Sequence, residues 1–371
     1  MILSIRGDEF GHRLGKLALA LLKKHGTKEV KPTVYMWVYG VMHHHFSPIH
    51  ETLKPLSEAI KISLDVGIRL GAVKPTYLYS SHSFYIGKNL SQILNDMNDL
   101  KKLLPLVPPN FLELYQAVQN LISKDTVNPF KIDYEDNHVK VYNRTEISVS
   151  TRMMEYLFHE YSAALKSFRQ TEKMAQKNNN FNNLFTSRQY YFYYGLVSLA
   201  LAQQCKDKSE HIEKAGEIIL KFRHFSTNAP QNYLNKVFLL EAEYNALHGK
   251  KEQAEECYAK AISVSRQNEF LHEEGIANER AGMYYSKSNQ EKAVALLLQS
   301  YKCYKAWGAE SKCQHLITLH PFLEKEVKKN NALQDFHELI INNDDESHSS
   351  LSTIASNAKK RVRFEVKDER S

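Results

Sequence analysis

Apolar residues recur every three to four positions along nearly the whole chain, the spacing that turns one face of an α-helix toward a core. Between residues 250 and 266 the inward set is Ala254, Cys257, Tyr258, Ala261 and Ile262. Between 290 and 307 it is Ala293, Leu296, Leu297, Ser300, Tyr301 and Tyr304. The same pattern predicts helices over 9–25, 30–45, 48–66, 69–85, 88–104, 109–123, 147–157, 160–177, 183–204, 208–224, 229–248, 250–267, 270–288, 290–307 and 309–328. Pro105, Pro108 and Pro109 mark one break, because a proline ring has no N–H and cannot continue a helix. Residues 124–146, with an extended stretch at Val139–Val141, mark a second, and Asn178-Asn179-Asn180 a third. Gly308 follows Trp307 where a left-handed helix end suits glycine.

Two helical pairs repeat each other at an offset of 39 residues: Ala242/Ala281, Ala254/Ala293, Tyr258/Leu297 and Ala261/Ser300, with Gly249 and Ser288 at the turns. Small side chains let paired helices approach closely, and the large one fills the gap to the next pair. This arrangement resembles the tetratricopeptide repeat, with a longer loop near Asn268-Glu269-Phe270. A weaker copy stands at Tyr161, Ala164 and Phe168. The expected fold is all-α, a tetratricopeptide-like helical-hairpin superhelix, or solenoid, with a disordered C-terminal tail. Its regions are N-terminal helical repeats over 1–123, a connecting segment over 124–146, tetratricopeptide-like repeats over 147–330 and the tail over 343–371.

Composition agrees with helices: 14 glycines and 10 prolines in 371 residues are few for a β-protein or a Gly-loop enzyme. The net charge of +7 is spread along the body, because residues 343–371 hold six acidic and six basic side chains that cancel. A thinly spread charge gives a weak field, so no nucleic-acid partner is expected. Cys205, Cys257, Cys303 and Cys313 form no CxxC pair and read as buried free thiols of a reducing compartment. The N-terminus lacks a long apolar core and no run approaches the ~20 residues of a membrane span, so no membrane partner is expected. The expected location is cytoplasmic, or nuclear if a basic run in the tail acts as an import signal.

Candidate chemistry is sparse. Gly11-His12-Arg13-Leu14-Gly15-Lys16-Leu17 is one residue short of a phosphate loop, with Leu17 where magnesium binding needs Ser or Thr. It reads instead as a packing stripe of Leu14, Leu17, Ala18 and Leu21. His43, His44 and His45 point about 100° apart on a helix and do not converge on one ion, so they read as a polar helix end before Pro48. His82, among Ser80, Ser81 and Ser83, reads as a hydrogen-bonded buried or groove residue. Tyr190-Tyr191-Phe192-Tyr193-Tyr194 reads as a helix buried on two or three sides. No catalytic residue, metal site or cofactor is expected. An enzyme would need a cryptic polar cluster within the helical array.

Four stretches look familiar as text: His50-Glu51-Thr52-Leu53-Lys54-Pro55-Leu56, Tyr79 through Leu90, Asn278-Glu279-Arg280-Ala281-Gly282-Met283-Tyr284-Tyr285, and Tyr301 through Ala309. Over roughly residues 8–322 the chain resembles the helical-repeat region of very large signalling proteins. Those proteins join a protein-kinase-like domain, an AAA-type predicted ATPase, this helical region, and GAF and histidine-kinase domains. The Trp307-Gly308-Ala309 end is the most specific part, and the His43–His45 run stands where that family usually has Asn-His-Trp. The resemblance implies a regulatory helical platform, with the family's chemistry in flanking domains that this sequence does not contain.

The tail carries a separate resemblance. Lys359-Lys360-Arg361-Val362-Arg363-Phe364-Glu365 is similar to the Arg-Val-x-Phe motif by which regulators dock on the type-one serine/threonine protein phosphatase. Val362 and Phe364 alternate on one side of an extended strand, which suits pairing with a sheet edge while both fill apolar pockets. A nuclear-import patch and an inert solvated tail are the rival readings. Two functions follow. One is a non-catalytic scaffold in intracellular signalling, holding a protein or peptide in a concave helical groove and recruiting the phosphatase catalytic subunit through Arg361, Val362 and Phe364. The other is a detached helical-repeat segment of a multidomain ATPase/kinase signalling protein.

Overall fold

The computed structural model describes residues 8–124, 149–175 and 184–329, and helices account for most of them. Helices α1 (Asp8–His25) and α2 (Lys31–Trp37) come first. Continuous helix is expected through residue 45, but α2 runs into a π-helical turn, Val38–Met42, and a 3-10 turn, His43–His45. The widened turn falls where the backbone of Gly40 presses on Leu78: a Cβ on Gly40 would stand 2.5 Å from Leu78 Cδ1. A further 3-10 turn, Ile49–Thr52, leads into α3 (Leu53–Asp65). Then follow α4 (Arg69–Tyr85), α5 (Leu90–Leu103), α6 (Pro109–Ile122), α7 (Val149–Leu157) and α8 (Tyr161–Ala175). The later helices are α9 (Phe185–Gln204), α10 (Ser209–Asn228), α11 (Pro230–Leu247), α12 (Lys251–Gln267), α13 (Leu271–Tyr285), α14 (Gln290–Trp307) and α15 (Glu310–Leu319). No strand occurs among the described residues. The Val139–Val141 stretch and the tail lie outside them.

Local chemistry sets many of the boundaries. Asn89 caps α5 by accepting from the Ser91 and Gln92 amides, and Asn289 caps α14 by accepting from Lys292. Pro109 and Pro230 open α6 and α11 at positions whose N–H would have no partner. Gly308 ends α14 in the left-handed region at φ 92°. α10 runs four residues past its expected end at 224, and the Ser226 and Thr227 hydroxyls donate to the Arg223 carbonyl there.

Consecutive helices pack as neighbours, most extensively α11 on α12 and α13 on α14. Shifted by 39 residues, the α11–α12 pair falls on the α13–α14 pair to within two residues at each end. Contacts also run far in sequence, α4 against α9 and α6 against α15. The chain through His320 clusters as one unit, and residues 322–329 are helical in the next. α9 and α13 are buried on almost every side, so they form the middle of the first unit. No described helix is long and apolar enough to cross a membrane.

Candidate functional site

The eight positions that define the 39-residue offset are all buried: Ala242, Ala254, Tyr258, Ala261, Ala281, Ala293, Leu297 and Ser300. The glycines of α13 make the approach closer still. A Cβ on Gly282 would meet Leu297 Cγ at 2.7 Å, and one on Gly275 would meet the Tyr304 ring at 2.9 Å. Ser300 donates to the carbonyl of Gly275 across the same contact (2.8 Å). Trp307 is buried, stacked on His272 at 5.1 Å and tilted against Phe84 at 5.6 Å. Gly308 lies beside Asn89 and Leu90, and Asn89 donates to the Ala306 carbonyl.

Those contacts bring the four familiar stretches together. His50 meets Phe270 ring to edge. Thr52 donates to the Ile49 carbonyl, so its oxygen accepts the 2.8 Å bond from His82 Nδ1 and fixes that tautomer. Gly87, at φ 84°, is so close to α13 that a Cβ would stand 2.8 Å from His272 Nδ1. The backbone between the early turns is held by α11. Asn232 accepts from the Ile49 amide (2.9 Å) and donates to the carbonyls of His44 (2.9 Å) and Ser47 (2.8 Å). The Tyr233 hydroxyl lies 2.7 Å from His44 Nδ1. Residues 44–52 and 82–89 thus close over α11, α13 and the end of α14.

Along α13 the buried charges form two groups. Toward its C-terminal half, Glu243 on α11 accepts four bonds. Arg280 gives two, from Nε (2.9 Å) and Nη2 (2.5 Å), Tyr258 one (2.7 Å) and Gln203 one (2.9 Å). Beside it, Glu279 accepts from Lys312 (2.8 Å), His159 (3.0 Å) and Tyr304 (2.7 Å). Lys312 spends its other two donors on the Leu157 carbonyl and His315 Nδ1. Burial alone pushes the Glu279 carboxyl up, but Lys312 and His159 outweigh it and hold the group below the carboxylate range. Burial likewise opposes the charge on Arg280, and Glu243 reverses the effect and raises it. These residues cross-link α9, α11, α12, α13, α14, α15 and the α7–α8 turn.

The N-terminal end of α13 is different. Lys236 donates to Glu273 Oε2 (2.7 Å) and the Asn232 carbonyl (3.0 Å), with its third face over the Phe270 ring at 4.3 Å. Asn235 donates to the same Glu273 oxygen. Burial dominates both charged partners, raising Glu273 and lowering Lys236 despite their contact. Glu273 Oε1, Asn235 Oδ1, both nitrogens of His272, Trp307 Nε1 and His82 Nε2 have no hydrogen-bond partner among the described residues. His272 Nε2 lies 3.8 Å from Glu273 Oε1, beyond hydrogen-bond range. Burial brings His272 and His82 down to about 3, so both rings are neutral.

Several sequence expectations change here. His44 and His45 are buried, with His43 on Glu51 at 2.9 Å, so the run is part of the core and not a polar helix end. Cys303 and Cys313 are buried, but Cys205 and Cys257 are half-exposed. The α1 stripe is turned around: Gly15 packs on Met42 and Val38, whereas Leu17 and Leu21 face outward. Tyr190, Phe192, Tyr193 and Tyr194 are buried as expected. No group of three His, Cys, Asp or Glu residues suited to a metal ion occurs among the described residues. Arg361, Val362 and Phe364 lie outside them. The buried charges Lys236, Glu243, Glu273 and Lys312 were missed, because a charged residue in a helical pattern reads as solvent-facing until its partner on another helix is known. Compared with known proteins, the chain matches no protein-family model and has no significant match among curated proteins.

Proposed function

We propose that this chain is a non-catalytic interaction and regulatory scaffold of intracellular signalling, built as a tetratricopeptide-like solenoid whose tail recruits the type-one protein phosphatase. The observation that carries the reading is the α11–α12 and α13–α14 pair of hairpins, repeated at 39 residues on small buried positions. Helical repeats of this kind present surfaces to other proteins. The inner helices α11 and α13 are covered by residues 44–52 and 82–89 of the same chain. A protein partner therefore meets the outer helices or the tail first, and reaches the inner face only by displacing those segments. The second reading, a helical-repeat segment of a multidomain signalling protein, draws support from the convergence of the four familiar stretches in one interior.

Calorimetric titration of the full chain against the phosphatase catalytic subunit tests the tail. Micromolar or tighter binding that vanishes in the Val362→Ala/Phe364→Ala variant is the expected result. Absence of binding, or binding indifferent to both substitutions, overturns phosphatase recruitment and leaves the multidomain-segment reading.

A further inference from the structure

Helix α1 is built the wrong way round for a helix that only covers a core. Its glycines face inward: Gly11 and Gly15 are buried, and a Cβ on Gly15 would be in ordinary contact with Met42 and Val38. Leu14, Leu19 and Leu22 are half-buried, but three of its large apolar side chains face out, with Phe10 37%, Leu17 53% and Leu21 53% exposed. At about 100° per residue, Phe10, Leu14, Leu17 and Leu21 fall within about 60° of one another, a single stripe along the helix. Arg13 and Lys24 fall within about 40° of Leu17 on one edge of that stripe, and Lys16 and Lys23 lie just beyond. All four are exposed. The one acid on that flank, Glu9, is already paired with Arg13 at 2.6 Å.

The neighbouring helices continue the theme. α1 packs on α2 and α2 on α4. Trp37 at the end of α2 is 46% exposed, with Lys74 of α4 over its ring at 4.4 Å, and Leu70, one turn before Lys74, is 68% exposed. An exposed tryptophan and leucines edged by lysines have the composition of a surface that lies at a lipid–water boundary, where apolar groups enter the acyl layer and long basic side chains reach the headgroups.

We propose that α1 is a peripheral membrane helix that lies flat on an anionic bilayer, with Leu17 and Leu21 inserted and Lys16, Lys23 and Lys24 on lipid phosphates. The absence of a spanning stretch, which led to the expectation of no membrane partner, concerns crossing a bilayer and not lying on one. A second copy of the chain suits the stripe less well, because it would bring basic flanks together where lipid phosphates oppose them with negative charge. The proposal is independent of the tail and of the repeats.

Vesicle flotation of the full chain, on pure phosphatidylcholine and on phosphatidylcholine with roughly 30% phosphatidylserine, tests it. The expected result is partitioning onto the anionic vesicles only, weakened by salt. Leu17→Ser/Leu21→Ser should weaken it about tenfold or more, and Lys16→Glu/Lys24→Glu should abolish it. Those positions are exposed, so helix content by circular dichroism should match the parent and exclude misfolding. Failure of the folded parent to float at low salt overturns the proposal. So does a concentration-dependent dimer that disappears in Leu17→Ser/Leu21→Ser without any vesicle binding, which would assign the stripe to a second copy.

Discussion

The two ends of α13 carry the same kind of buried charge and treat it differently. Around Glu279 and Arg280 the charged groups all meet partners, and Glu243 alone accepts four bonds. Around His272 and Glu273 the pair with Lys236 is made, but one carboxylate oxygen and a whole imidazole have no partner among the described residues. At the satisfied end Lys312 and His159 hold the Glu279 carboxyl down, although burial still lowers Lys312. At the other end burial raises the Glu273 carboxyl as well as lowering Lys236, and their contact does not reverse either effect. The satisfied end joins helices within the repeats and the α7–α8 turn. The unsatisfied end is where residues 82–89 close over the repeats, with Gly87 against His272 and Phe84 against Trp307.

The sharpest way to break this contrast is to remove one charge at each end. Arg280→Ala leaves Glu243 buried without its ion-pair partner, and should cost about 3–5 kcal/mol in urea unfolding. Glu273→Gln removes a group already raised by burial, and should cost about 1 kcal/mol or less. Equal losses from the two variants would show that the ends of α13 are energetically alike.

The next effect is pH. His272 faces Lys236 and Glu273, and His82 faces Thr52, with His43 near enough to oppose its charge. Both are held at about 3 in the fold against an ordinary value of 6.5. Below 6.5 the unfolded chain takes up protons that the folded chain refuses. The stability these neutral rings allow is therefore complete above that value and is lost as pH falls toward 3. Each should cost about 1.4 kcal/mol per pH unit below 6.5. Urea midpoints measured between about pH 7 and pH 5 should fall steeply. His315 is also held at about 3, so His272→Gln should remove a third of that slope at most, and an unchanged slope would place the acid sensitivity elsewhere.

The helices themselves were legible, because three-to-four-residue periodicity, prolines and the Gly308 end act locally. The 39-residue offset was legible too, since Ala242/Ala281 and Ala254/Ala293 keep their spacing whatever surrounds them. What sequence could not supply was the neighbour of each face. α1 reads as a stripe of leucines that ought to point inward, yet two glycines take the inner side. The histidine run reads as a polar end, yet Asn232 and Tyr233, nearly 190 residues on, bury it. Glu273, Glu279 and Arg280 of α13 belong to partners on α11, α15 and the α7–α8 turn, separations that periodicity does not encode. The tail motif is a case of its own, legible as text and dependent on a binding measurement.

The central structural claim is that residues 44–52 and 82–89 and the repeats they cover form one cooperative unit. Trp37 and Trp307 are the only tryptophans in the chain. Trp37→Phe leaves Trp307, between Phe84 and His272, as sole reporter of the closure. In that variant, Trp307 fluorescence and helical circular dichroism followed through urea should give one coincident transition. A fluorescence change at distinctly lower urea, with most of the helix signal intact, would show that the early segments detach independently and would contradict the account.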